Sequence, residues 1–361
     1  MKEIKENKMR ERNSTIEMLR IFSMILVVMS HCAVHGGVVS NEAKISNWFY
    51  IGGEIGVAIF ILISGYFMVD EKVSMKKMLR IIGEVWFYTV TIMFIYVFVG
   101  GNSITVNQMI ANFFPISFGV NWFPPHYVWL MLLSPILNAF VNTSSKKLLE
   151  RMIFGGMVIC SILPTLFDTV LLGGELTIFA LLYLMAAYVK RYVNIAHVRI
   201  WTNLFLGVLG FILIRSAMYY TYRVLEIYSF LVIFVAIEIM LIFLALPQRY
   251  CKVINFIAQS MFGVYLIHDN QYVRPWLWQK ILNRTEWKES GHILLYGILS
   301  VIIVLSICTV IDIIRRLTFE KVWIKSIDRM LYYMKIIFFK LGWIKELTTK
   351  VVKYVCMKEE R

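Results

Sequence analysis

Charge is scarce in this sequence. Asp, Glu, Lys and Arg make up 17% of its 361 residues, against about 25% in an ordinary soluble domain. Proline is rare as well, with 7 residues, so few positions interrupt long helices. The five cysteines, Cys32, Cys160, Cys251, Cys308 and Cys356, are scattered without metal-ligand or redox spacing. Most fall inside apolar runs, where they read as small packing residues. No internal repeat is visible. No small-residue cleavage site follows the first apolar segment, which is therefore expected to stay in the membrane as a span.

Hydrophobic residues supply what the charged ones do not, at 59% of the chain. They are grouped in runs such as Ile21–Met29, Phe205–Ile214 and Ile298–Val310, which a water-soluble core does not need. A bilayer core about 30 Å thick takes roughly 20 helical residues to cross. The apolar pattern predicts spans at Ile16–Val34, Trp48–Val69, Ile81–Val99, Tyr127–Val141 and Met152–Phe167. It continues with Leu176–Val189, Leu204–Met218, Ile227–Leu246, Val253–His268 and Ile293–Ile314. The expected fold is an all-α bundle of about ten transmembrane helices.

The formal charge of +14 is explained by its location, and no nucleic-acid partner is needed. With the N-terminus inside, 29 of the 37 Lys and Arg residues lie on the cytoplasmic side. Six lie outside (Lys44, Arg223, Arg274, Lys280, Arg284, Lys288) and two within spans (Arg20, Arg215). This positive-inside asymmetry places both termini in the cytoplasm. Residues 1–15 are then a basic cytoplasmic N-terminus, 16–314 the membrane domain and 315–361 a basic tail. In Val322–Ile344 Trp323, Leu331 and Trp343 interleave with Lys325, Arg329, Lys335 and Lys340. That pattern predicts a helix along the inner surface with membrane lipid as its partner.

Ionisable residues inside apolar helices are costly, so each is a functional candidate. The first span carries Glu17, Arg20 and His31. Arg20 and His31 are eleven residues apart, which returns to nearly the same helix face about 16 Å along the axis. In the second span Gly52 and Gly56 have the small-xxx-small spacing of close helix packing, and Ser64–Gly65 fit the same role. His126 and Trp129, one turn apart, are candidates to face one cavity. Tyr265 and His268 share a face of the ninth span, at the outer level of His31. His31, His126 and His268 thus fall at similar depth, but no ligand spacing supports zinc and no metal is expected. Glu238, in mid-span, needs a partner, for which Arg215 is a candidate.

Four segments carry a resemblance: IEMLRIFSMILVVMSH (16–31), GVAIFILISGYFM (56–68), HYVWLMLLSPILN (126–138) and QSMFGVYLIH (259–268). In this order the chain resembles the acyltransferase-3 family, membrane proteins that O-acylate surface polysaccharides and related glycans. Ala58 departs from it, since many members have an acidic residue there. The C-terminal hydrolase-like domain of many members is not expected in this chain. The resemblance implies acetyl-CoA as the donor and a hydroxyl of a surface polysaccharide or lipid-linked saccharide as the acceptor. Arg20, assisted by Ser64 and Arg80, would hold the donor's phosphates, which need cationic partners in a low-dielectric site. His31, with Arg20 and Glu17 on its stripe, would take the acceptor's proton or itself carry the acyl group. His126, Trp129, Tyr265 and His268 would contact the acceptor or stabilise the oxyanion. A transporter or flippase of acyl groups or glycan precursors is the rival expectation. Against it stand the absence of paired halves and the concentration of in-span charge in the first helix.

Overall fold

The computed structural model describes residues 13–36, 46–71, 74–167, 174–282 and 293–337, and these residues are helical with short connections. The principal helices are α1 (Ser14–His35), α2 (Gly52–Met68), α3 (Met75–Phe94), α4 (Phe123–Thr143) and α5 (Lys146–Met157). They continue with α6 (Glu175–Tyr192), α7 (Ile200–Ala217), α8 (Phe230–Ala245), α9 (Lys252–Ala258), α10 (Met261–His268) and α11 (Ile293–Leu317). A last helix, α12, covers 319–337.

Local chemistry sets the helix starts. Asn13 Oδ1 accepts from Thr15 N at 3.0 Å to open α1, and Ser74 and Ser145 cap α3 and α5 in the same way. Pro124 and Pro125 sit in the first turn of α4, where a missing N–H removes nothing. This helix therefore begins four residues before the sequence-expected Tyr127. Pro135 inside α4 leaves the Met131 carbonyl without its helical donor, and the Ser134 hydroxyl supplies one at 2.8 Å.

Among the described residues, seven helices are long and apolar enough to cross a bilayer: Ser14–His35, Trp48–Met68, Met75–Val99, Lys146–Phe167, Ile200–Ala217, Tyr222–Ala245 and Leu294–Leu317. Their outward faces are apolar. On α7 Trp201, Phe205, Val208 and Ile212 are exposed, and on α11 Leu295, Ile298, Ile302 and Ile307. A girdle of this size would be an aggregation surface in water and is matched to lipid. The described residues form no strand, and their apolar helices make the chain a multi-pass membrane protein.

The expected ninth span is two helices, broken at Gln259–Ser260. Irregular backbone at membrane depth requires partners for the freed carbonyls. Arg316 provides one for the Phe256 carbonyl at 3.0 Å and also holds Ser260 Oγ at 3.1 Å and Gln259 Oε1 at 2.9 Å.

Helix α1 is the hub, packed against α2, α8, α9, α10 and α11. The glycines of α2 permit the closest of these approaches. A Cβ on Gly56 would collide with the Ser23 carbonyl oxygen, and one on Gly52 would press on Leu26. On the other face of α2, Gly65 lies against Tyr183 and Ala186 of α6.

A buried ionic cluster, unforeseen from sequence, joins α3, α11 and α12. Arg315 contacts Asp312 at 2.8 Å, Glu84 at 3.1 Å and Glu320 at 3.1 Å, and Tyr88 donates to Asp312 at 2.8 Å. Gly263 of α10 has no side chain where Asp312 sits. The start of α12 is docked: Trp323 Nε1 donates to the Leu79 carbonyl at 3.0 Å. The expected surface helix is thus anchored to α3 through its first turns, while Val322, Tyr332, Tyr333 and Ile337 remain exposed. Lys340, Trp343 and Ile344 of that expectation lie outside the described residues, as do Lys44, Arg284 and Lys288.

Candidate active site

The polar face of α1 runs from Glu17 to His31, and its two ends differ. At the cytoplasmic-side end of the expected topology, Arg20 Nη1 binds Glu17 Oε2 at 2.5 Å. The contact is one-pronged, which leaves the rest of the guanidinium fork uncommitted to Glu17.

At the other end, sequence-remote groups converge on His31. His31 Nδ1 lies 2.9 Å from His268 Nε2. His268, wholly buried, places Nδ1 2.6 Å from the Val264 carbonyl. A carbonyl only accepts, so His268 Nδ1 carries the proton and, in the neutral ring, Nε2 is an acceptor. His31 must then donate from Nδ1, which leaves its Nε2 as a lone pair. The backbone of α10 thereby fixes the tautomers of two rings in series. Asp269, one residue on, stands 3.5 Å from His31 Nδ1 and 3.6 Å from His35 Nε2. Arg274 holds it in place, with Nε 2.9 Å from its backbone carbonyl and 3.3 Å from its carboxylate. Such an array suits proton abstraction: a free imidazole nitrogen, an orienting hydrogen bond behind it and a carboxylate to balance the imidazolium.

Between the two ends lies a narrow cavity. Ser23, Met24 and Val27 of α1 line it with Gly56, Val57 and Phe60 of α2, Phe123 of α4, and Phe262 and Tyr265 of α10. Ser23, Met24 and Val27 occupy the stretch of α1 separating Arg20 from His31, on the same side. Its wall is almost wholly apolar. Tyr265 is buried, with its ring centroid 5.8 Å from Phe123 and 6.3 Å from His268. Ser64 Oγ meets the Tyr127 hydroxyl at 3.1 Å, and Tyr127 packs on Phe60 of the cavity wall.

Several sequence expectations need correction. His126 does not join His31 and His268. Its Nδ1 bonds the Trp122 carbonyl at 2.6 Å and its Nε2 lies 3.5 Å from Glu175, because the proline-initiated first turn of α4 turns the ring toward α6. Trp129 does not face a cavity with it; at 55% exposure it belongs to the apolar outer face. Arg80 pairs with Glu320 of α12 at 2.5 Å, away from the α1 stripe. Arg215 does not pair with Glu238. It reaches the Tyr219 hydroxyl at 3.3 Å and stacks on Tyr219, just past the end of its own helix, and on Trp48, ahead of α2.

Sequence reasoning missed His35, Asp269 and Arg274. His35 carried a readable signal, since it lies four residues from His31 on the same face. Asp269 and Arg274 carried none beyond their place after His268.

Comparison with known proteins bears on the same region. A family model described as an acyltransferase domain, that of the acyltransferase-3 family, matches residues 13–310. No curated protein and no solved structure matches the chain.

Proposed function

The chain belongs to the acyltransferase-3 family, and we propose that this membrane acyltransferase moves an acetyl group from acetyl-CoA to a hydroxyl of a cell-surface polysaccharide or lipid-linked saccharide. The observation that carries the reading is the polar face of α1, with Arg20 at one end, His31 at the other and the apolar gap beside Ser23, Met24 and Val27 between them. An acyl-CoA has this distribution of chemistry: anionic phosphates at one end, a long thin arm, and a thioester at the other.

In this reading Arg20, held by Glu17, meets the phosphates on the cytoplasmic side, and Ser64 with Tyr127 borders the donor's arm. His31 Nε2 takes the proton of the acceptor hydroxyl as its oxygen attacks the thioester carbonyl. The imidazolium that forms is balanced by Asp269, while His268 keeps the ring in the productive tautomer. Collapse of the tetrahedral intermediate expels the CoA thiolate and leaves the O-acetyl ester. His268 and Asp269 are positioning residues, and Tyr265 lies beside them at the acceptor end. His126, seated with Trp122 and Glu175, is assigned to the rim of the acceptor path, and Arg80 has no part in donor binding.

The proposed setting is a bacterial plasma membrane crossed ten times. Helices α4 and α6 and the α9–α10 pair supply three crossings beside the seven long apolar helices. The Lys and Arg distribution supports cytoplasmic termini.

Donor binding tests the proposal. Purified protein in detergent is heated with and without acetyl-CoA, and the unfolding midpoint is followed. Stabilisation by acetyl-CoA that weakens in Arg20→Ala is the expected result. Equal midpoints with and without acetyl-CoA in the wild type would count against the donor assignment.

A further inference from the structure

We propose that His31, His35 and Asp269 form a divalent transition-metal site, best suited to Zn2+, whose occupancy takes His31 out of catalysis. His31 and His35 are four residues apart on α1, so both imidazoles project from one face, with ring centroids 5.3 Å apart. Asp269 comes from the other side, at the end of α10. One ligand atom from each of the three lies within 4.8 Å of the others.

Two of the three edges of the cluster, those to Asp269, match a tetrahedral ion, and the third lies within 4.8 Å. With bonds of the length zinc makes to nitrogen and oxygen, neighbouring ligand atoms stand about 3.3 to 3.6 Å apart. His31 Nδ1 is 3.5 Å from Asp269 Oδ1, and His35 Nε2 is 3.6 Å from the same oxygen. His268 Nε2, at 2.9 Å from His31 Nδ1, is beside the fourth position. Two imidazoles and a carboxylate are the donor set of zinc and its first-row neighbours, and a poor set for magnesium or calcium.

Arg274 sets the strength of the site. Its Nε lies 3.3 Å from Asp269 Oδ1, so a cation bound there is repelled by a guanidinium and shares its carboxylate. The site is therefore reversible, filled when the free ion rises and emptied when it falls. Occupancy also has a chemical consequence. A metal on His31 Nδ1 displaces that nitrogen's proton and its bond to His268, and the neutral ring then holds its one proton on Nε2. The lone pair that serves as base is gone.

The inhibitory half of this inference rests on His31 being the base; the metal site itself does not. Full-length protein in detergent, freed of any polyhistidine tag, is titrated with Co2+ as a spectroscopic probe. Expected are saturable visible bands from one ion per chain, displaced by Zn2+. In His35→Gln the affinity should fall by more than the roughly 10- to 100-fold that losing a supporting contact costs. No saturable uptake, or uptake unchanged in both His35→Gln and Asp269→Asn, overturns the site. Zn2+ should inhibit acetyl transfer by the wild type over the range in which it displaces Co2+. In His35→Gln whatever transfer remains should resist Zn2+ over the range that inhibits the wild type. Binding without inhibition overturns the withdrawal of His31. Absence of transfer altogether, with cobalt still bound, defeats the acetyltransferase reading and leaves the metal site standing.

Discussion

In the proposed mechanism His31 accepts a proton at Nε2 because two hydrogen bonds act in series, His31 Nδ1 donating to His268 and His268 Nδ1 donating to the Val264 carbonyl. Removing the base itself, in His31→Ala, is expected to lower turnover about 10²- to 10⁴-fold. His268→Ala should also lower kcat, while the donor KM changes little, because His268 acts through His31 and meets no substrate. His268→Gln, which offers an amide oxygen to His31, should recover part of the loss. Equal falls in kcat for Ala and Gln would argue against tautomer control. At the other end of the stripe the signature is inverted. Arg20→Ala should raise the donor KM roughly tenfold or more, the loss of a charge-assisted contact, with a smaller effect on kcat. Steady-state kinetics on the purified variants separate the two patterns.

Among the elements, α1 and α2 are held at a distance that only glycine allows. Gly56→Val would drive a branched side chain into the Ser23 carbonyl and Val27. It should destabilise the bundle by at least the roughly 1–3 kcal/mol typical of overpacking, lowering the unfolding midpoint in detergent. Gly155→Ala is the control: nothing lies within 4 Å of its added carbon, so the midpoint should hold or rise. Arg315 makes the matching electrostatic test. Arg315→Met leaves Asp312 and Glu84 buried without their cation, and Glu320 with Arg80 alone. A loss of about 3–5 kcal/mol is expected, as for other buried pairs stripped of one partner. An unchanged midpoint would show that the cluster does not hold α3, α11 and α12 together. The glycine packing was legible in sequence, because the Gly52–Gly56 spacing states its own geometry. The Arg315 cluster was not. Its carboxylates come from three helices whose contact is decided by the fold, and Arg315–Arg316 read as the start of the basic tail. The break at Gln259–Ser260 was hidden for a similar reason, since its partner, Arg316, is distant in sequence.

For the whole molecule, hydropathy alone carried the all-helical membrane class, since long apolar runs have few alternatives in a chain this poor in charge. The site was legible in part. Arg20 and His31 share a helix, so their common face follows from helical geometry, and His268 was placed by depth. Depth does not fix azimuth, however, and His126 and Trp129 were assigned to the site on depth and spacing while the start of α4 turns them elsewhere. The proposed topology, with ten crossings and cytoplasmic ends, predicts that a C-terminal green fluorescent protein fusion is fluorescent and an alkaline phosphatase fusion at the same point inactive. An active phosphatase there would require an odd number of crossings or the opposite orientation. The central claim, that this membrane protein acetylates a surface glycan through His31, is tested most directly in cells. The O-acetyl content of surface glycan is measured in a deletion strain carrying either the wild-type gene or His31→Ala at equal membrane abundance. Acetylation lost on deletion and restored only by the wild type is the predicted result. Acetylation untouched by deletion, or restored in full by His31→Ala, would contradict it.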